Sequence, residues 1–215
     1  MLSPVEIIEP SRSGDLPALV WRTDGPVRAV ASSVIGGGIG PCHWVCNAQV
    51  PLEYHHDDPA AHAAALAAGF GLAGPGAGLL TAATITSFTT GADGGARCDA
   101  TVGISNPTWA AAPDGAVSAW VPGTINLVCW VPEPLTDAAL VNTVITVTEA
   151  KAQAMVEGAV PGTGTASDAV VVCCPEPSGG GQSYGGPRSP WGARLARAAH
   201  RAVADGIARH PVWQG

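Results

Sequence analysis

GLLTAATITS at 78–87, RCDATVGIS at 97–105 and GTINLVCWV at 123–131 decide the fold class. Each is rich in the β-branched and apolar residues that suit a pleated, half-buried surface. The connections between the three, TTGADGG at 89–95 and AAAPDGA at 110–116, read as turns rather than helices. A doubly wound parallel sheet needs a helix after each strand, so a run of strands like this one predicts antiparallel neighbours.

Working outward, VRAVASSVI at 27–35 and CHWVCNAQV at 42–50 read as two further strands, the first running into Gly36-Gly37-Gly38. Asp57, Asp58 and Pro59 then open a helix, with an acidic cap and proline in the first turn, and Gly69 ends it. Downstream, Thr136 or Asp137 caps a long helix that stops at Gly158. DAVVVCC at 168–174 is continuously apolar, the pattern of a strand covered on both faces. Residues 175–188 form a glycine- and proline-rich loop of the kind that often serves as a lid. Ser189-Pro190 starts a last helix with Leu195, Ala199, Ala202, Val203, Gly206 and Ile207 on its inner face. The expected fold is α/β in a single domain over residues 1–215. It has a mixed, largely antiparallel sheet, or two stacked sheets, flanked by about three helices. Residues 1–26 read as a leading segment without a recognised motif, at most an edge hairpin.

The chain has 215 residues, enough for one sizeable core. Its net charge is −7, and five of its ten basic residues are arginines after residue 187. That distribution offers no basic stripe for nucleic acid, and the late arginines read as a solvated helix face. No secretory signal and no long apolar run appear, so neither export nor a membrane span is expected. Cys42, Cys46, Cys98, Cys129, Cys173 and Cys174 lie mostly in strand-like runs and read as small buried hydrophobes of a reducing, cytoplasmic compartment. No resident metal is expected from them.

The long helix carries an oddity. On a helical wheel Leu140, Val141, Val144, Thr148, Ala152 and Met155 form an apolar stripe; Lys151 falls inside it and Glu149 at its edge. A lysine on a core-facing side must snorkel to water or meet a carboxylate. Glu149 and Lys151 diverge by about 160–200° on the helix, so each needs a partner from elsewhere. Asp168, at the mouth of the buried strand after the hydroxyl-rich turn TGTAS, is the candidate partner for Lys151; a strand cap is its plainer role.

Several blocks then occur in a fixed order: SSVIGGGIG at 32–40, Asn47 with Val50, YHHDDP at 54–59, GLLTAA at 78–83, TVGISNP at 101–107, GTIN at 123–126, TVTEAK at 146–151, TGTASD at 163–168 and YGGP at 184–187. Together they resemble the adenosylcobinamide amidohydrolase family over about residues 30–207. One departure is Ser167, where many members carry threonine; a hydroxyl is kept. The resemblance implies hydrolysis of the amide that joins aminopropanol to the corrin ring, giving adenosylcobyric acid and 1-amino-2-propanol in corrinoid salvage. Cobalt then enters only as part of the substrate, and no separate cofactor is called for. A non-catalytic corrinoid carrier is the alternative reading.

Amide hydrolysis needs an activated nucleophile, oxyanion donors and a proton for the departing amine. No GxSxG elbow and no HExxH are present. Two mechanisms stay open. In one, Glu149 or Asp168 activates water, Lys151 polarises or protonates, and Asn126 or loop N–H groups hold the oxyanion. In the other, Thr165 or Thr124 attacks, with Lys151 as base. Ser33, Gly37, Gly38, Asn47, His55, Asn106, Thr124, Asn126, Gly164 and Tyr184 are the candidate contacts to a large, flat, amide-bearing substrate, with Tyr184 as a cover. The His55-His56-Asp57-Asp58 cluster reads as a helix cap or a substrate contact rather than a metal site.

Overall fold

A computed structural model describes residues 1–10, 16–115 and 123–209. Among these are ten strands: β1 (Glu6–Ile8), β2 (Ala18–Arg22), β3 (Val27–Ala31), β4 (Gly38–Pro41), β5 (Trp44–Gln49), β6 (Gly76–Thr81), β7 (Thr89–Asp93), β8 (Ala96–Gly103), β9 (Thr124–Trp130) and β10 (Ala169–Pro175). Three α-helices accompany them: α1 (Pro59–Gly69), α2 (Asp137–Glu157) and α3 (Pro190–Ala208). The strands form a four-stranded sheet, β1-β2-β5-β6, and a six-stranded sheet, β4-β3-β10-β9-β8-β7. Of the two arrangements the sequence allows, the stacked pair of sheets is the one adopted.

Each sheet has a single parallel pair, β5 with β6 and β9 with β10; every other pair is antiparallel. Parallel neighbours need a crossover connection, and α1 and α2 supply the two crossovers. Strand alternation then sorts the core into layers. Leu19, Trp21, Val45 and Leu79 of the smaller sheet pack on Val27, Val128, Val171 and Cys173 of the larger one. The outer face of the smaller sheet is covered by Leu66 and Ala67 of α1. The outer face of the larger sheet is covered by α2 and α3 through Leu140, Val147, Met155, Leu195 and Val203. The result is a helix–sheet–sheet–helix stack.

A buried polar seam stitches the two sheets. Trp21 Nε1 donates to Asp99 Oδ2 at 2.7 Å, and Thr90 and Arg97 also bond to that carboxylate. Asn47 Nδ2 donates to Thr101 Oγ1, and Asn126 Nδ2 donates to both Asn47 Oδ1 and Leu80 O, each at 2.9 Å.

Several expectations need correction. The strand expected over 78–87 ends at Thr81, and 85–87 form a 3-10 turn. The turn expected at 89–95 is mostly β7, and only Gly94-Gly95 make the turn itself, both with positive φ. The glycines permit a two-residue hairpin, and the alternation Thr89-Thr90-Gly91 was hidden by their company. Ala116 of the expected 110–116 turn and residues 11–15 of the leading segment lie outside the described residues. That segment holds β1 and β2, and β2 lies inside the smaller sheet between β1 and β5. Arg194, Arg197 and Arg201 do more than face water: they bond Gly94 O, Asp93 and Ala92 O and fasten α3 to the β7–β8 turn. No helix among the described residues is long and apolar enough to cross a membrane.

Candidate active site

Register places one end of β8, β9, β10 and β3 of the larger sheet at a common rim. Gly103 of β8 stands opposite Thr124 of β9, Asn126 opposite Ala169 of β10, and Ala31 of β3 opposite Val171. The loop 161–168 enters here, and its last residue is Asp168. On the helix side of the sheet α2 delivers Lys151 to the same point, with the lysine side chain 8% and the Asp168 side chain 12% exposed. Lys151 Nζ pairs with Asp168 Oδ2.

Asp168 is held from every side. Oδ1 accepts from the Ile125 N–H at 2.9 Å and from the Thr165 hydroxyl. Oδ2 accepts from Lys151 and from the Thr165 N–H at 3.1 Å. A carboxylate offers about four lone-pair positions, so all of them are engaged. The Thr165 hydroxyl also faces Gly123 O at 2.7 Å; its single hydrogen serves one acceptor at a time. Beside it Thr124 Oγ1 and Ser167 Oγ lie 2.7 Å apart, and Ser167 Oγ donates to Gly123 O at 3.1 Å. Gly164 is required at its position by close approach: a Cβ there would collide with Lys151 Nζ and Asp168 Oδ2.

The structure therefore joins Lys151, Asp168, Thr165, Thr124 and Gly164. Ser167 and the backbone of Gly123 and Ile125 complete the group. The spacing Thr165-x-x-Asp168 is that of a capping box and could have announced the Thr165–Asp168 contact; here it closes a turn instead of starting a helix. Glu149 is not in this group. It is exposed on the opposite side of α2, as the angular divergence from Lys151 requires.

The other candidates distribute around the rim. Asn126 and Asn47 are buried between the sheets, one step beneath Thr124. Both Asn126 amide hydrogens are committed to Asn47 and Leu80, so its side chain has no donor left for an oxyanion; its Oδ1 is buried without a donor of its own. Asn106 is half-buried, its backbone N beside Gly123. Ser33 donates to Ile35 O at 2.7 Å in the loop after β3, and the neighbouring Ser32 bonds the backbone of Val170. Gly37 lines a cavity of about 210 Å³ between β4 and the start of β6, whose lining includes neither Lys151 nor Asp168. Gly38 is exposed, opposite Ala31. His55 is exposed, while His56 and His62 stack at 4.8 Å and Tyr54 Oη meets His62 Nδ1 at 2.8 Å. Asp58 caps α1 by accepting from the Ala61 N–H at 2.9 Å. Among the described residues no group of three or more His, Cys, Asp or Glu converges as metal ligands would.

Tyr184 is not brought to the cluster. It is 76% exposed, and its loop is fastened to the N-terminal half of α2, where the Gly185 N–H meets Asn142 Oδ1 and Thr146 Oγ1 donates to Gly185 O. Lys151 belongs to the other half of that helix. The apolar stripe also needs turning: the buried residues of α2 are Ala139, Leu140, Thr143, Thr146, Val147, Ala150, Lys151, Ala154 and Met155. Val141 and Thr148 face outward, because the Gly185 segment packs against the flank where Thr143 and Thr146 lie and draws small polar residues inward.

With this geometry in place, the sequence matches the family described as adenosylcobinamide amidohydrolase over residues 2–214. The chain belongs to the adenosylcobinamide amidohydrolase family. The match begins at Leu2, so it takes in the leading segment that carries no recognised motif. Two proteins named adenosylcobinamide amidohydrolase are similar to it. One, from Halobacterium salinarum, is 41% identical over 119 residues, which cover 50% of this chain and 50% of that protein. The other, from Methanosarcina mazei, is 27% identical over 191 residues, 85% of this chain and 91% of that protein. The family name places the chain among hydrolases of an amide bond.

Proposed function

We propose that the chain hydrolyses the amide between aminopropanol and the corrin ring of adenosylcobinamide, giving adenosylcobyric acid and 1-amino-2-propanol for corrinoid salvage. The observation that carries the mechanism is the Thr165 hydroxyl held between Asp168 and Gly123 O, with Lys151 fixing the far carboxylate oxygen.

A nucleophile, a base and a group that orients the base are the parts of covalent acyl transfer. With the four acceptor positions of Asp168 filled, the hydroxyl proton best placed to move onto it is that of Thr165. Thr165 Oγ1 then attacks the substrate carbonyl, and Asp168 returns the proton to the departing amine nitrogen. Water cleaves the resulting ester with Asp168 as base, restoring the hydroxyl and releasing the acid. Lys151 holds the carboxylate and adds positive charge beside the developing oxyanion. Thr124 and Ser167, hydrogen-bonded to each other beside Thr165, are the hydroxyls this reading assigns to the substrate's amide arms. Lys151 contacts Asp168 and not Thr165, which argues against lysine as the base for the threonine.

The second reading has water as the direct nucleophile. It is favoured by the second acceptor at Thr165: turning the hydroxyl hydrogen to Gly123 O frees one position on Asp168 for a water. Both readings require Asp168. Incubation with adenosylcobinamide should yield adenosylcobyric acid, seen by mass spectrometry. Adenosylcobinamide recovered intact, though bound, would instead identify a carrier.

A further inference from the structure

Trp109 is an exposed indole tied to the loop that carries Thr165 and Asp168, and the hydrolytic chemistry leaves it unused. Among the described Trp, Tyr and Phe side chains only two are more than half exposed, Trp109 at 51% and Tyr184 at 76%. Tyr184 belongs to a loop fastened to the first half of α2, away from Lys151. Trp109 is placed differently. Its neighbour Thr108 forms an antiparallel bridge with Gly164. The Thr108 N–H donates to Gly164 O at 2.8 Å, and the Thr163 N–H donates to Thr108 O at 3.0 Å. Thr165 follows Gly164 directly. Two Cα steps and one cross-strand spacing therefore keep the Trp109 and Thr165 Cα atoms within about 13 Å of each other.

The backbone that bears the indole is held on both sides. A Cβ at Gly162 would stand 2.7 Å from Thr108 N and 2.9 Å from Thr108 O, so glycine is what lets the two segments lie this close. A Cβ at Gly123 would stand 3.3 Å from Asn106 N. Past the indole, the Ala110 N–H donates to Thr163 Oγ1 at 3.0 Å, and the Ala112 N–H donates to Trp109 O at 3.0 Å, closing a turn. A single exposed aromatic is ordinary on a protein surface. What sets Trp109 apart is its mount, which is hydrogen-bonded to the same loop as the Lys151–Asp168 pair. An indole held this way offers a large apolar face and loses little freedom when a ligand covers it.

We propose that Trp109 binds the corrinoid, its indole lying against the flat apolar face of the ring while the arm's amide carbonyl sits at Thr165. The proposal rests on the hydrolytic reading for the place of that carbonyl. The ligand class follows from the group on offer. An indole carries no charge and a single N–H donor, so it favours a broad apolar surface over a phosphate or a carboxylate. A macrocycle whose side arm reaches Thr165 is wide enough to span the distance to Trp109. The contact is made to a part of the substrate that does not react, and it is the same before and during bond cleavage. Such uniform binding lowers KM and leaves kcat nearly alone. The sequence gives Trp109 no signal of its own, because one aromatic in a turn-rich run has no periodicity to stand out from.

The test compares Trp109→Ala and Trp109→Phe with the wild-type protein, using adenosylcobinamide as substrate and circular dichroism to match the folded state. Trp109→Ala should raise KM at least about tenfold and keep kcat within about threefold, and Trp109→Phe should recover most of the loss. If Trp109→Ala melts early, Trp109→Gln keeps the bulk, removes the aromatic face and carries the same expectations. Binding is read separately in an Asp168→Asn background, as adenosylcobinamide retained with the protein on ultrafiltration and followed by its visible absorbance. Adding Trp109→Ala there should raise Kd by a factor similar to the rise in KM. Unchanged KM and Kd would overturn the proposal, as would a fall in kcat at unchanged KM. A changed oligomeric state with substrate affinity intact would also overturn it and assign the indole to a protein contact. Wild-type protein that binds adenosylcobinamide without cleaving it would refute the hydrolytic reading instead, and the Kd comparison then decides Trp109 alone.

Discussion

At Thr165 a single methyl and a single hydroxyl have separable jobs. The methyl carbon packs toward Gly123 and the hydroxyl meets Asp168. Thr165→Val keeps the shape and removes the nucleophile, so turnover of adenosylcobinamide should fall by about 10³-fold or more, whereas Thr165→Ser should retain measurable activity. Single-turnover kinetics check this; Thr165→Val at wild-type speed would leave water as the nucleophile. Gly164 makes a second, steric prediction. Its added methyl would meet the Lys151 ammonium and the Asp168 carboxylate at once, and neither is the free end of an exposed chain. Gly164→Ala should separate the pair, costing about 1–3 kcal/mol of stability by the usual penalty for overpacking, and should lower turnover with it. A thermal melt and a rate assay read both effects. The polar residues of the rim were legible from the sequence because each breaks a local rule: a lysine on a buried helix face, a carboxylate opening an apolar strand. What the sequence did not reveal is how full the hydrogen-bond complement of Asp168 is, since two of its four donors are backbone N–H groups that carry no residue signature.

At the scale of the element, α2 illustrates how a correct helix can be read with its face turned. Its boundaries follow from Thr136, which accepts from the Ala139 N–H at 3.2 Å, and from Gly158 at the far end. Its inner face includes Thr143 and Thr146, whose hydroxyls bond Leu140 O and Gly185 O and so enter the core without a loss of hydrogen bonds. A wheel weighted by side-chain hydrophobicity favours Val141 over these threonines and turns the stripe accordingly. Lys151 stayed on the inner side under either choice. The loop 175–188 was legible as a loop but not in its placement, because glycine-rich chain carries no facing. Its attachment to the first half of α2 separates Tyr184 from Lys151. Tyr184→Ala should therefore leave kcat and KM for adenosylcobinamide within about twofold of wild type, as exposed substitutions away from a site usually do. A tenfold rise in KM would restore the tyrosine to the substrate.

Across the whole molecule the sandwich makes the leading residues structural. β2 is an interior strand, Trp21 is 1% exposed, and its indole ties the smaller sheet to Asp99 of the larger one. A chain lacking residues 1–24 would uncover β5 and strand the Asp99 carboxylate without its indole donor. It should show no cooperative thermal transition, and a sharp melt near that of the full chain would contradict the layer account. The fold class was readable from the uninterrupted run of strands, and the two stacked sheets were one of the arrangements that run allowed. The short strand β4 escaped because four residues, three of them glycine or proline, carry too little alternation. The stack matters to function because it brings β8, β9 and β10 to one rim and lets α2 reach over it with a cation. The most direct measurement is the rate of adenosylcobyric acid formation by Asp168→Asn beside wild type, with matched circular dichroism to establish that both are folded. General-base removal predicts a loss of about 10²–10⁴-fold; an Asp168→Asn protein that turns over adenosylcobinamide near the wild-type rate would contradict the account.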